Sequence, residues 1–533
     1  MTDADTQQTG GDADRPRPRP RLARSTAIFA VATGLSRVVG LIRESVSAYY
    51  FGSRGRINGF TVAFQIPNLV RALVADAALS GAFVPVFSEL LEKGDRRRAW
   101  RVASTLFWLL LLGLGGLTAL FILLAPYVLR LFGSPGGDVG LAIGLSRVLF
   151  PIVVLLGLSG IVVGILNTHD HFTVPALTPV FWNLAIIGGL VIGVPTQDAE
   201  SGKLYVYAAS IVVGTLIQFL LPLPWLRGLD GRLRVVVDWR DPAVRRFFVL
   251  LLPVTVGLGL ININAVVDTV FASRLIDASL APTAIDKAFR LYMLPQGMFS
   301  VAVATVLFPA LSRLAARADH GRFRETVALG VRQIAFLLVP AAAVSAVLAE
   351  PIVRIVYQRG EFTADQTTIV AGALAAFSLG LVFNGWMLML NRAFFSLQSN
   401  WFPTIVALAN LSLNAALDAA FYRVGVWGIP LATSLVNVAG AVALAYALRT
   451  KLGRLGLGAI LDSLARVVIS SGAAATVAYL LWWVLDDAFG RAFGAQSVSL
   501  GAALLAAGVT YLGACRVLRV PELNALLRLL RRR

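Results

Sequence analysis

Long apolar stretches alternate with short polar connections along almost the whole chain. A transmembrane helix needs about 20 predominantly apolar residues. Several stretches are longer than one bilayer crossing requires, which predicts helices that tilt or extend beyond the bilayer. The pattern predicts an all-α integral membrane protein of about fourteen spans: 25–51, 58–91, 101–132, 139–166, 174–195, 203–226, 244–273, 285–315, 324–349, 366–396, 402–422, 427–448, 461–486 and 496–518.

Composition supports this class. The 533 residues are 57% hydrophobic and 14% charged, with a mean hydropathy of +0.76, which leaves too little polar surface for a soluble protein of this length. The net charge of +18 arises in loops between apolar stretches, so we do not interpret it as nucleic-acid binding. The single cysteine, Cys515, excludes a disulfide framework or a thiolate metal site.

Basic residues are distributed unequally between the two sets of alternating connections. About 29 Lys and Arg residues lie in the termini and in 92–101, 227–246, 312–324 and 449–454, whereas about 8 lie in the other set, which includes 133–138, 196–203 and 486–491. Because short basic loops stay on the inner side of a membrane, the first set is predicted to be cytoplasmic. An even number of spans then places both termini in the cytoplasm.

Two similar segments indicate an internal repeat. FVPVFSEL (83–90) and LFPALSRL (307–314) end two long spans, and each follows another proline, Pro67 or Pro295. Transporters often consist of such related halves around a central site, although short similarities between apolar helices also arise by chance. The predicted organisation is a disordered tail, a six-helix lobe, a cytoplasmic linker, a second six-helix lobe, an appended helix pair and a basic tail: 1–24, 25–226, 227–243, 244–448, 461–518 and 519–533.

Four arginines lie inside the apolar stretches: Arg37, Arg43, Arg71 and Arg290. A charge at bilayer depth is costly unless it faces a partner or a wet cavity, so such residues mark a functional site. The guanidinium suits bidentate contact with phosphate oxygens. We therefore predict a cationic cavity for an anionic cargo. The alternative interpretation is that the arginines form buried ion pairs or snorkel to the interface, and Glu44 and Asp76 on the same spans are available as partners.

A second polar group occupies the later spans. It consists of carboxylates, an amide and hydroxyls: Asp268, Asn414, Asp418, Thr433 and Ser434. Asn414 and Asp418 are one helical turn apart and share a face. Such oxygen donors suit Na⁺ or a transferable proton, so we predict a coupling-ion site. Interhelical hydrogen bonding is the alternative.

Catalytic motifs are not evident. No P-loop, dinucleotide fingerprint or G-x-S-x-G elbow occurs, and no long outer loop carries catalytic carboxylates or histidines. The sequence therefore predicts a transporter without a resident cofactor, and not an ATPase, a hydrolase or a membrane glycosyltransferase.

Five segments resemble the MurJ/MviN family of lipid II flippases, in the multidrug/oligosaccharidyl-lipid/polysaccharide exporter superfamily: SRVVGLIRE (36–44), FQIPNLVRALVADAALSGAFVPVFSE (64–89), ILNTHDHFTVPALTPVFWN (165–183), RLYMLPQGMFSVAVATVLFPALSR (290–313) and LAEPIVRIVYQRGEFTADQT (348–367). The resemblance implies fourteen helices, two lobes around a cationic cavity and a location in the bacterial cytoplasmic membrane. It also implies transport of the undecaprenyl-pyrophosphate-linked peptidoglycan precursor, lipid II, to the outer leaflet, in contact with membrane lipids and with cell-wall synthesis proteins.

The resemblance assigns roles to individual residues. The four arginines match the family's cavity arginines, the expected pyrophosphate ligands, while Glu44 and Asp76 preserve charge where the family often has Asp and Glu. Asn58 stands where many members carry Asp, so this chain has lost a negative charge at a position linked with gating. The pair 461–518 resembles the family's lipid-tail groove. A flippase for another polyprenyl-linked glycan, a drug/cation antiporter and an inactive scaffold are the alternatives.

Overall fold

The computed structural model describes residues 20–523 except 75–76, 170, 172, 400 and 454–455. Within these residues all long elements are helices. The first half contains α1 (Pro20–Phe51), α2 (Ile57–Val74), α3 (Ala77–Glu92), α4 (Arg96–Arg130), α5 (Val139–Leu149), α6 (Pro151–Thr168), α7 (Thr173–Gly188) and α8 (Glu200–Leu220). The second half contains α9 (Pro242–Phe271), α10 (Ala281–Pro295), α11 (Val301–Ala316), α12 (His320–Val347), α13 (Ala349–Tyr357), α14 (Ala364–Ser396), α15 (Trp401–Phe421), α16 (Gly428–Leu452), α17 (Leu457–Phe489) and α18 (Phe493–Val517).

The predicted fold class is confirmed. Within the described residues, eleven helical segments are long and apolar enough to cross a membrane. The other predicted spans, 25–51, 58–91 and 244–273, are helical in their described residues. The count of fourteen stays a prediction.

One helix lies where none was predicted: α13 follows α12, and Arg354 and Glu350 interrupt its apolar pattern. Of the predicted disordered tail 1–24, residues 20–24 are helical and belong to α1, and the rest lies outside the described residues. Of the predicted basic tail 519–533, residues 519–523 are described, and Val520 and Glu522 among them are buried.

Prolines divide the two similar helix pairs at corresponding places. Pro67 lies inside α2 and Pro85 inside α3, while Pro295 closes α10 and Pro309 lies inside α11. A proline removes a backbone hydrogen bond, and neighbouring helices in a membrane protein compensate for the loss. Both similar segments thus lie on the second helix of a proline-interrupted pair.

The buried apolar side chains form separate cores. One core takes its buried residues from 51–247, and a second takes them from 280–460 together with Ala48. A third joins α17 and α18 to α12. The chain therefore packs as two helical halves, with the last two helices attached to the second.

The halves are connected by residues 227–241, which we call the linker. Helix α9 leaves the linker with Asp241 as its N-cap and Pro242 at its first position, and runs for 30 residues. At 1.5 Å per residue it reaches about 45 Å from the linker. We call the linker's end of the bundle the linker side and the opposite end the far side.

Candidate functional site

A buried carboxylate joins the two halves. Glu44, near the far-side end of α1, is 7% exposed and forms an ion pair with the neighbouring Arg43. Its Oε1 also lies 3.0 Å from Nη1 of Arg290, on α10 in the second half. Because a buried charge is tolerated only when it is paired, Glu44 holds these two arginines together across the boundary between the halves.

Arg43 and Arg290 differ in their surroundings. The Arg43 guanidinium lies 4.7 Å from the centre of the Trp182 ring on α7, so it faces the interior of the first half. Arg290 donates from Nε to Asp286 at 2.8 Å, in addition to contacting Glu44. Its side chain is 34% exposed. Arg290 is thus the member of the cluster that remains accessible to a cargo. Arg43 pairs with Glu44 from the side of the first half.

A lysine that sequence reasoning missed belongs to the same cluster. Lys287 is 3% exposed, and its Nζ lies 4.9 Å from the centre of the Tyr357 ring. It lies three residues before Arg290, so both project from one face of α10. That spacing was the available signal, but Lys287 stands in the polar start of the predicted span 285–315.

The cluster opens into a polar pocket between the halves. The pocket has room for water-sized molecules over about 60 Å³. Its lining combines charged, amide, hydroxyl and aromatic side chains from both halves: Glu44, Ser47, Ile57, Phe60, Thr61, Phe64, Gln65, Asn68, Tyr207, Thr283, Asp286, Lys287 and Arg290.

Arg37 and Arg71 lie nearer the linker side. Arg37 donates from Nη2 to the carbonyl of Gly297 at 3.3 Å, and a side chain at Gly297 would collide with its guanidinium. Arg71 donates from Nε at 3.0 Å to Asn68, which lines the pocket. The structure therefore does not gather the four arginines at one point: Arg43 faces the first half, and the other three lie at different depths along the boundary between the halves. The predicted cavity acid Asp76 lies outside the described residues.

Asn58 closes the far side of the pocket. It is fully buried, and its amide nitrogen donates to the carbonyls of Ser53, Gly55 and Ser279 at 3.1, 3.1 and 2.5 Å. Its Oδ1 accepts the backbone N–H of Thr283 at 2.9 Å. Two of these contacts reach the second half. Asn58 is therefore an interhelical connector whose function needs a nitrogen donor.

Further hydrogen bonds extend this closure. Gly55 donates its N–H to Ser279 at 2.7 Å, and the hydroxyls of Thr61 and Thr283 lie 2.8 Å apart. Ser53 donates its N–H to Oε1 of Gln366 at 2.7 Å. We call this set of contacts around Asn58 the far-side seal. It lies directly over the pocket, because Thr61 and Thr283 belong to both.

The second predicted group is only partly brought together. Asn414 donates from Nδ2 to Asp268 at 2.5 Å and to Asp418 at 3.0 Å, which joins α9 to α15. Asn414 and Asp418 are fully buried, and one side-chain oxygen of each has no hydrogen-bond partner among the described residues. Unsatisfied oxygens beside two carboxylates fit a small hard cation or a proton.

Thr433 and Ser434 use their hydroxyls elsewhere. Thr433 donates to the carbonyl of Ile429 at 3.2 Å, one turn earlier on α16. Ser434 donates to the carbonyl of Ala376 at 2.7 Å and so connects α16 with α14. In this structure the oxygen cluster consists of Asp268, Asn414 and Asp418. The described residues contain no group of three or more His, Cys, Asp or Glu side chains that could hold a metal ion.

These features define a class of protein: an all-helical membrane protein whose two halves enclose a charged pocket. The family model described as "Lipid II flippase MurJ" matches residues 47–497. The probable lipid II flippase MurJ of Vibrio cholerae is 34% identical over 436 residues, covering 78% of this chain and 80% of that protein. The lipid II flippase MurJ of Burkholderia cenocepacia is 31% identical over 397 residues, covering 73% and 76%. The chain belongs to the MurJ family.

Solved structures share the fold. A lipid II flippase MurJ in an inward closed conformation has a TM-score of 0.74 at 24% identity, and the alignment covers 92% of this chain and 99% of that one. A multidrug resistance MATE family transporter of the MOP superfamily, in an inward-facing conformation, has a TM-score of 0.65 at 18% identity, with 82% and 98% covered. The chain therefore shares the fold of these two proteins.

Proposed function

We propose that this protein is a lipid II flippase, which moves the undecaprenyl-pyrophosphate-linked disaccharide-pentapeptide from the cytoplasmic to the outer leaflet by alternating access. The observation that carries the proposal is the Glu44–Arg290 ion pair, which joins the halves beneath the far-side seal. An arginine held by a carboxylate of the opposite half is a site at which an anionic cargo and the closure of the halves compete directly.

The competition gives a mechanism. Pyrophosphate oxygens can accept two parallel hydrogen bonds from an arginine guanidinium, whereas one carboxylate oxygen satisfies fewer of its N–H groups. When the cargo engages Arg290, Glu44 loses a partner from the second half and keeps Arg43 of its own half. One contact between the halves is then removed, and the far side becomes easier to open. Arg37 and Arg71, nearer the linker side, are placed to meet the pyrophosphate first.

The pocket is too small for the whole head group. Its roughly 60 Å³ for water-sized molecules is well below the about 300–1,000 Å³ of pockets that bind drug-sized ligands. The halves must therefore separate further when the glycopeptide enters, as alternating access requires. The polyprenyl tail stays in lipid throughout.

We place the linker side, with both termini, in the cytoplasm. The support is the concentration of basic residues in the connections on that side, about 29 against about 8 on the other. In this orientation the far-side seal faces the exterior of the cell, and the structure is closed on that side.

Helices α17 and α18 are proposed to guide the lipid tail together with the second half. Arg354 on α13 donates to both oxygens of Asp486 at 3.0 Å, at the far-side end of α17. At the other end, Arg332 on α12 lies 3.4 Å from Glu522, which accepts the hydroxyl of Ser463. Because both ends of α17 are tied to the second half, a groove along these helices moves with that half.

The cargo is tested by complementation. In bacteria depleted of their own lipid II flippase, the intact chain should restore growth, because the family's cargo is common to peptidoglycan synthesis. The Arg322→Ala variant, which changes a side chain that is 78% exposed, should restore growth equally. If the protein is present and folded in the membrane but does not restore growth, the cargo assignment is contradicted. Another polyprenyl-linked glycan is then favoured as the cargo.

The driving force is proposed to be the membrane potential or a cation bound by Asp268, Asn414 and Asp418. Na⁺ bound there should raise the melting temperature of the purified protein, since a ligand stabilises the state that binds it. Asp418→Asn removes one of the two carboxylate charges. It should abolish the rise in melting temperature that NaCl causes relative to choline chloride. Thr433→Ala, which leaves the cluster intact, should retain it. Equal melting temperatures of the unmodified protein in the two salts would eliminate Na⁺ as the ligand.

A further inference from the structure

The linker is fastened along the first turns of α4. Trp108 donates from Nε1 to the carbonyl of Arg234 at 2.9 Å, and Arg234 donates its N–H to Ser104 at 3.0 Å. Asp238 donates its N–H to Thr105, also at 3.0 Å. Side chains and backbone of α4 thus hold an extended segment in a fixed register, and the linker is part of the first half.

Both ends of the linker are also fastened. Trp100 donates from Nε1 to Asp230 at 3.0 Å. Arg98 donates from Nε and Nη2 to the two oxygens of Asp241, each at 2.9 Å. These hydrogen bonds lower the pKa of Asp241, so its carboxylate stays charged at neutral pH. The outward face of the segment between them is therefore a defined surface.

That outward face is apolar and basic at the same time. Val235, Val237 and Trp239 are 79%, 47% and 65% exposed. Val236 and Asp238 between them are half-buried, so these three side chains share the exposed side of the segment. Arg232, Arg234 and Arg240 are exposed beside them, and the Arg240 guanidinium lies 5.4 Å from the centre of the Trp239 ring. We call residues 232–240 the linker strip.

The strip lies beside the first turns of a helix that is long and apolar enough to span the membrane. The α4 residues that fasten the linker, Trp100 to Trp108, cover about 12 Å near the start of that helix. Tryptophan is enriched at the membrane–water interface, and arginines near that interface attract anionic lipids. An acidic soluble partner would match the arginines but would not explain a row of exposed valines beside a membrane-spanning helix.

We propose that the linker strip binds the anionic lipid surface of the adjoining leaflet, with Val235, Val237 and Trp239 inserted among the head groups and the arginines contacting lipid phosphates. The strip then anchors the first half to the leaflet while the second half moves. This contact depends neither on the cargo nor on which leaflet is cytoplasmic. The lipid contact can therefore be confirmed or refuted independently of the proposed function.

The test uses a polarity-sensitive fluorophore on the full chain in lipid nanodiscs. Val237→Cys is labelled in a Cys515→Ala background, because Cys515 is the single cysteine. Lys93→Cys, with a side chain 66% exposed in the turn between α3 and α4, is the matched control. In phosphatidylcholine discs containing phosphatidylglycerol, the label at 237 should emit at shorter wavelength and resist iodide quenching several-fold better than the label at 93. Equal quenching at both positions would overturn the proposal.

The charge requirement is tested separately. Arg232→Gln with Arg240→Gln should reduce the protection of the label at 237 in anionic discs, and Arg322→Gln should not. Protection that is the same in pure phosphatidylcholine discs would overturn the preference for anionic lipid. Protection caused by an added acidic polypeptide, and not by lipid, would assign the strip to a protein partner instead.

Discussion

Arg290→Ala should abolish rescue of flippase-depleted cells and lower lipid II translocation in proteoliposomes by at least about a hundredfold. The change removes the accessible cation of the cluster and leaves Glu44 and Asp286 without their shared partner. Removing the partner of the buried Glu44 carboxylate costs up to about 3–5 kcal/mol, or roughly two to four orders of magnitude in an equilibrium constant, and the partial exposure of Arg290 puts the effect at the lower end. Arg290→Lys should retain part of the activity, because it keeps the charge but loses the fork. Arg322→Ala is the control.

A double variant separates cargo binding from a purely structural ion pair. Glu44→Gln combined with Arg290→Gln replaces the pair by two neutral amides, and it is compared with Glu44→Gln alone because both variants leave Arg43 without its carboxylate. If the pair only fastens the halves, adding Arg290→Gln to Glu44→Gln should change neither the melting temperature nor transport. If Arg290 binds pyrophosphate, the double variant should keep the melting temperature of Glu44→Gln and lose the transport that Glu44→Gln retains. Equal transport by these two variants would contradict the proposed role of Arg290, and the coupling between the two changes is obtained from the four-variant cycle.

The sequence predicted the membrane class and the arginines, because both depend on local properties of the chain. Apolar stretches of bilayer length identify helices whatever they pack against. A charge inside such a stretch is unusual wherever it lies, so Arg290 and Glu44 were found without knowledge of their contact. Their pairing was beyond the sequence, because it joins residues 246 positions apart.

Long-range contacts also explain what the sequence could not provide. Lys287 stands at the polar start of a helix, where an exposed lysine is ordinary; its burial beside Tyr357 depends on α13, which was not predicted. Ser434 was predicted to supply an oxygen near Asp418, but its partner is a carbonyl of α14. The depth of a residue in the membrane can be estimated from its position in a span. The partner that its side chain contacts depends on which helices pack beside it.

Asn58 shows the same limit most clearly. From the sequence it was a lost negative charge; in the structure its nitrogen donates to three carbonyl oxygens and fastens the far-side seal. Asn58→Asp replaces that donor by an oxygen that repels those carbonyls. Leaving buried polar groups unmatched costs roughly 1–3 kcal/mol each. The ratio of closed to open far side should therefore fall at least about tenfold at neutral pH.

Spin labels at Asp198→Cys and Thr368→Cys, exposed far-side positions in the two halves, report the opening as a longer interlabel distance in a Cys515→Ala background. Lowering the pH should reverse part of the change in Asn58→Asp, because a protonated carboxyl regains one donor, and should leave the unmodified chain unaffected at this point. An unchanged distance distribution in the variant would contradict the role of Asn58 in the seal. The amide of Asn58 does not titrate, so we expect pH to change the opening of the far side through position 58 in Asn58→Asp and not in the unmodified chain.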